Sequence, residues 1–275
     1  MRQYVANKTP VLTAATGKGK DFHDKWHDFL GDSIFTSDGQ LWHEARALIR
    51  PQFIKDRVSD LHTFEHHFQR MIPHIPTDGS TFEASSLFYR LTLDSSTDFL
   101  FGQSVDSLQN PKAEFARSFS YLQYHQHNMS HYGPLSFLMA GSAEFKKHLK
   151  VLNDFVEPFV QRTLQLRLED LKEKSESDYN FLHELAQYTR DPRMLRDQLV
   201  AVLLAARDTT AAHMSWGLYE LARHPQCVNR LRKEILDHVG PVNPPTYQDL
   251  KEMKYLQHVI SETLRLYPGG ESALN

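Results

Sequence analysis

Apolar and polar positions follow one another along this chain in the rhythm of helices, with glycine and proline as punctuation. The longest unbroken pattern runs from Asp191 to Arg223. It opens on Asp191-Pro192, an N-cap residue followed by proline at the first helical position. It closes on Arg223-His224-Pro225, with cations in the last turn and a proline that stops it. At 1.5 Å per residue such a helix is roughly 48 Å long. Leu199 to Ala206, in its middle, are apolar on every face, which predicts burial on all sides.

The other elements are read in the same way. Trp26, Phe29 and Leu30 give a short helix an apolar face, and Gly31 breaks it. Ser37 or Asp38 caps a second helix that carries Trp42, Arg46 and Ile49 and stops near Pro51. Helical pattern continues over 57–72 and breaks at Pro73, Pro76 and Asp78-Gly79. Residues 83–101 read as a largely buried helix ending at Gly102. Residues 142–172 read as one amphipathic helix through Phe145, Leu149, Leu152, Phe155, Phe159 and Leu164, with Pro158 as the place for a kink. A charged, serine-containing link follows, from Lys172 to Asp178. After the central helix comes one from Pro225 to near Gly240, a proline-rich break, and a last helix over about 250–266. Residues 1–20 read as a loosely held lead-in, and the fold class is mainly α.

Composition narrows the function more than the fold. A chain of 275 residues with 40% hydrophobic and 24% charged residues is that of an ordinary globular protein with room for a sizeable core. A net charge of −3 and no long basic run give nucleic-acid binding no support. The single cysteine, Cys227, excludes an intramolecular disulfide and a multi-cysteine metal site, and fits a reducing compartment. No apolar run approaches 18 residues, and the first residues lack the apolar core of a signal peptide. The 16 histidines are scattered. His125, His127 and His131 have spacings of two and four, but i and i+2 do not share a helix face, and no carboxylate or cysteine completes a set.

Two groups of residues suggest chemistry. Arg207-Asp208-Thr209-Thr210 follows directly on the apolar stretch and places an acid and two hydroxyls in a helix expected to be buried. Such groups need partners or a task. A capped or solvated patch at a bend is one explanation and a catalytic role is the other. Trp42 and Arg46 are four apart, hence one turn apart on one face. An indole N–H beside a guanidinium suits an anionic ligand, but a surface arginine lying on a tryptophan has the same spacing. Glu262 and Arg265, three apart, can pair along the last helix.

Taken together, these pieces resemble the cytochrome P-450 family of haem-thiolate monooxygenases in order, spacing and residue type. Leu30 to Phe35, Asp38-Gly39, Trp42 to Arg46 and Arg50 to Phe53 are similar to the segment leading through the family's C helix. By that resemblance Trp42 and Arg46 hold a haem propionate. Ala205-Ala206-Arg207-Asp208-Thr209-Thr210 resembles the I-helix motif on the oxygen side of the haem, and Glu262-Thr263-Leu264-Arg265 the K-helix Glu-x-x-Arg. Leu91 to Gly102 looks most like the fungal microsomal group that hydroxylates n-alkanes and fatty acids.

The resemblance implies haem b as cofactor, lodged against Trp42, Arg46, Ala205 and Ala206. Thr209 would steady oxygen and a water, and Asp208 would link that water to solvent. It also implies an NADPH-cytochrome reductase and a hydrophobic small molecule as partners, and no nucleic acid. The expected architecture is the middle of the fold, about the B to K helices, with residues 21–275 as one partial domain lacking most of the β-rich N-terminal part and the C-terminal ligand region.

Two departures stand out. Ala206 occupies a position where the family has glycine, adding a methyl group at the oxygen groove. The family's iron-ligating cysteine follows the K helix, whereas Cys227 precedes Glu262 and reads as a small core residue. The expectation is therefore a truncated, inactive chain without a metal ligand or stable thiolate-bound haem, the alternative being a non-catalytic helical remnant or interaction protein. Family members sit on the endoplasmic reticulum facing the cytosol. The chain as read has no anchor, which points to the cytoplasm.

Overall fold

In a computed structural model, residues 17–53, 61–132, 141–172 and 180–269 are described. Residues 173–178 of the link expected from Lys172 to Asp178, and most of the 1–20 lead-in, lie outside them. Among the described residues there are helices and no strands. The chain divides into two compact units: residues 1–53, 100–102 and 112–202 form one, and residues 54–99, 103–111 and 203–275 the other.

The first unit holds α1 (Lys20–Leu30), α2 (Gly39–Ile49), α5 (Glu114–His131), α6 (Ala143–Gln165), α7 (Leu168–Lys172), α8 (Phe181–Tyr188) and the opening turns of α9 (Pro192–Arg223). Its core is aromatic. Phe29 meets Phe119 edge-on at 5.8 Å, and Phe115 meets Phe155 at 4.2 Å between ring centres. Phe101, which also belongs to this unit, packs on Phe155 and Phe159. Leu152, Val156 and Val160 on α6 are fully buried beside Leu122 of α5, as a stripe three to four residues apart demands. Arg196 reaches from α9 to α6, donating from Nε and Nη2 to Asn153 Oδ1 at 3.1 and 3.0 Å.

The turn between α1 and α2 is built around Gly31. Its φ of +57° suits glycine, and a Cβ there would lie 1.9 Å from Cγ of Asp197. Asp197 uses that space to accept from the Asp32 amide at 2.9 Å. Burial pushes the Asp197 carboxyl above its ordinary value, with Arg196 at 3.0 Å and the Asp32 amide opposing the shift.

The second unit holds α3 (His62–Met71), α4 (Ala84–Phe101) up to Phe99, the remainder of α9, α10 (Pro225–His238), α11 (Tyr247–Glu252) and α12 (Lys254–Leu266). Met71, Leu87, Leu91 and Leu108 form its buried cluster, with Phe88 and Met214 packed against them. Glu234 of α10 caps α12 from outside, accepting from the amides of Tyr255 and Leu256 at 2.8 and 2.9 Å. Those are two of the four amides that a helix start leaves without partners.

The helices end where glycine and proline predict, with four corrections. The span read as 142–172 stops at Gln165 and restarts at Leu168, so the break falls at Leu166-Arg167 rather than at Pro158. Pro158 stays inside α6 on its exposed side. The last helix is two, because Met253 leaves helical geometry at ψ 84° and restarts the count. Asp38 stands at the N-cap of α2 without capping it; its carboxylate accepts from the Lys18 and Gly19 amides at 3.0 and 2.8 Å. Those two bonds hold the chain just before α1, within the stretch read as loosely held.

Candidate functional site

Leu199 to Leu203 of α9 are buried as expected, and the stretch opens beyond them. Leu204, Ala205 and Ala206 are half-buried, and Thr209 and Thr210 are exposed. This corrects the expectation that the two hydroxyls are interred. The hydroxyl of Thr209 donates to the Ala205 carbonyl at 2.8 Å, one turn back along the helix. That bond ties two of the expected site residues together.

The polar group that is buried is Arg207, only 7% exposed. Its guanidinium lies over the Tyr89 ring at 5.0 Å and its Nη1 is 3.1 Å from Oδ1 of Asp208. A flat, weakly hydrated cation on an aromatic face is the form of charge that an interior tolerates best. Burial still pulls the Arg207 pKa down, with Asp208 and then Tyr89 opposing. Tyr89 is pushed up by its own burial and by the Asp208 charge. Asp208, half-buried, thus sits at the edge of a charge cluster spanning α4 and α9 within the second unit. The motif by itself gives Arg207 no aromatic partner, because Tyr89 lies far away in sequence. Its signal, a long cation set in an apolar run, was there to be used.

Trp42 and Arg46 share a face of α2 as their spacing requires, with the guanidinium 5.4 Å from the indole centre. Trp42 is half-buried and Arg46 exposed. The donors of both therefore stand on the first unit's surface, in the geometry that fits either of the two readings weighed from the spacing.

Glu262 and Arg265 form a forked pair, with Nε and Nη2 each 2.7 Å from a carboxylate oxygen. Each lowers or raises its partner in the expected sense: the arginine's hydrogen bonds hold Glu262 below its ordinary value, and Arg265 is raised by the same bonds. Both side chains are exposed, 57% and 66%, so water screens the pair. Cys227 is half-buried on α10 rather than enclosed in the core, and it neighbours the Tyr255 hydroxyl, whose pKa it raises.

The Leu91–Gly102 stretch explains itself as a fastening rather than a site. Fully buried Asp94 accepts from the Ser107 amide and hydroxyl, both at 2.7 Å, and from the Leu108 amide at 2.9 Å. Thr97 accepts from the Val105 amide at 3.2 Å, and Asp98 meets buried His67 at 3.0 Å. Asp94 and Thr97 thereby hold the loop after α4 in place, and Asp98 holds α3.

Comparisons with known proteins bear on the family. The family model described as Cytochrome P-450 matches residues 3–275. The cytochrome P-450 monooxygenase pvhE of Talaromyces variabilis is 47% identical over 270 residues, covering 92% of this chain and 50% of its own. Cytochrome P-450 52A13 of Debaryomyces hansenii is 40% identical over 264 residues, 90% of this chain and 51% of its own. Cytochrome P-450 52A1 of Candida tropicalis is 40% identical over 265 residues, 90% and 48% respectively. The chain spans about half the length of the curated relatives it matches. With the helical pattern, the Ala205–Thr210 turn and a family match over nearly every residue in hand, the chain belongs to the cytochrome P-450 family.

Proposed function

We propose that this chain supplies the oxygen side and the propionate contacts of a haem-dependent monooxygenase acting on an alkane- or fatty-acid-like substrate. Dioxygen and reducing equivalents from an NADPH-dependent reductase would complete the reaction. The observation that carries the reading is the turn of α9 from Ala205 to Thr209. There an exposed hydroxyl is anchored by its own proton, beside an acid whose charge is offset by a buried arginine. The resemblance of Leu91 to Gly102 to the alkane- and fatty-acid-hydroxylating group supports the substrate class, and the likeness to the monooxygenase pvhE supports the reaction class.

On each unit taken by itself, the residues present suit a part of a haem. The Arg46 fork and the Trp42 indole form a donor set suited to a carboxylate such as a propionate. Ala205 and Ala206, small and half-buried, leave room for a flat group against α9. Cys227 lies against Tyr255, and no thiolate of this chain is assigned to the iron. Haem, when bound, supplies the redox chemistry of dioxygen activation.

The remaining work falls to side chains. Because Thr209 donates to Ala205, its lone pairs face outward and can accept from a water. Asp208, half-buried, reaches both that neighbourhood and solvent and can pass a proton between them. Leu204, half-buried, brings apolar surface to the same stretch of helix and disfavours water around a hydrocarbon chain.

The substrate reading is tested in a chimera that completes the length of the relatives with the remaining half of cytochrome P-450 52A1, supplied with a reductase. Offered a long-chain alkane and a fatty acid, the chimera is expected to form hydroxylated product from at least one. A chimera that loads haem and consumes reduced nicotinamide but hydroxylates neither would contradict the substrate class.

A further inference from the structure

Helix α1 and the turn after it bring together three side chains that the haem chemistry does not use. His23 and His27 are four apart on one helix face, with ring centres 5.0 Å apart. Just past the helix, Gly31 turns the chain so that the Asp32 carboxylate comes back over that face. Its Oδ1 is 2.8 Å from Nε2 of His23, and its Oδ2 is 3.9 Å from Nε2 of His27. One ligand atom from each of the three lies within 4.8 Å of the others. We propose that His23, His27 and Asp32 form a binding site for a divalent transition-metal ion of the zinc, nickel or copper class.

The donor set selects that class. Two imidazoles and one carboxylate suit borderline ions, and hard cations such as magnesium or calcium prefer oxygen alone. Bond lengths of about 2.0–2.2 Å to such ligands require the three side chains to close inward slightly, replacing the direct His23–Asp32 contact by a shared ion. Three protein donors leave the outer coordination positions to water, since His27 and Asp32 are exposed.

The backbone around the site is held in advance. The Asp32 amide donates to Asp197 at 2.9 Å, and its carbonyl accepts from Gln198 Nε2 at 3.2 Å. Asp32 is thus fixed on both sides by α9, and the histidines are fixed by the helix. Beyond the donors, Asp24 Oδ1 stands 3.4 Å from Nδ1 of His23, where a carboxylate orients a metal-bound imidazole. Two other histidine pairs share the i, i+4 spacing, His62 with His66 and His127 with His131. Neither belongs to a three-donor group among the described residues. They are internal controls.

The test uses the untagged chain, stripped with a chelator, and zinc ion titrated against a chromophoric competitor. One equivalent is expected to bind, and to raise the thermal midpoint. His27→Ala keeps the His23–Asp32 contact and should weaken zinc binding by at least ~10-fold while abolishing the thermal shift. Asp32→Asn should do the same, and His131→Ala should change neither. No bound equivalent in the wild type would overturn the proposal. So would unchanged binding in His27→Ala, or equal weakening in His131→Ala, which would mark adventitious binding to histidines at large.

Discussion

Asp94 shows what a buried charge does when it is not catalytic. It lies in the stretch that gave the chain its likeness to alkane hydroxylases, yet its carboxylate ends on a hydroxyl and two amides of the following loop. Asp94→Ala leaves the Ser107 and Leu108 amides without a partner in the interior, at roughly 1–3 kcal/mol for each that finds no water, while the Ser107 hydroxyl keeps the Arg90 carbonyl at 3.3 Å. A loss of at least about 3 kcal/mol in a denaturant titration is expected, with Asp94→Asn recovering only part of it. A near-neutral Asp94→Ala would show that the loop is held by something else. Gly31 is the steric counterpart. Gly31→Ala meets both a left-handed φ and the Asp197 carboxylate, and is expected to cost about 2–4 kcal/mol. The same assay checks it, and a stable variant would mean that Asp197 moves aside freely.

Among the elements, α12 depends on a neighbour for its beginning. Met253 offers no side-chain cap, and Glu234 accepts from the first-turn amides in its place. Desolvation raises the Glu234 pKa, but the two amides outweigh it and hold the group below its ordinary 4.5. A carboxylate depressed on folding contributes stability above its unfolded value and loses it as pH falls through the folded value. Hydrogen exchange at Tyr255 and Leu256 in Glu234→Ala is therefore expected to quicken at neutral pH. The difference from wild type should vanish in the acid range below that ordinary value. Equal protection in variant and wild type at pH 7 would remove the cap.

The legibility of the elements follows the range of the interactions. The ends of α9, Gly31 and Gly102 could be read because proline, glycine and N-cap chemistry act within a few residues. The Trp42–Arg46 and Glu262–Arg265 contacts could be read because helical spacing fixes them. The turn from Asp38 to Gly19, the Arg207 stack on Tyr89 and the Asp94 fastening could not, since their partners lie between 13 and more than 100 positions away. The exposure of Thr209 belongs to the same class. The apolar pattern before it says nothing about which neighbours cover the next turn.

At the scale of the whole molecule, the described helices carry the family's recognised residues on two units, Trp42 and Arg46 on one and Asp208, Thr209, Glu262 and Arg265 on the other. Among the described residues no helix is long and apolar enough to cross a membrane. The proposed proton handling by the Ala205–Thr209 turn separates from a purely structural role by stoichiometry. In the completed, haem-loaded chimera, product formed is measured against reduced nicotinamide consumed. Thr209→Ala is expected to keep haem and substrate binding while the ratio falls and hydrogen peroxide rises; Asp208→Asn is expected to slow turnover. If Thr209→Ala leaves product per reduced nicotinamide unchanged, the hydroxyl only fastens the helix to the Ala205 carbonyl, and the proton-handling account is contradicted.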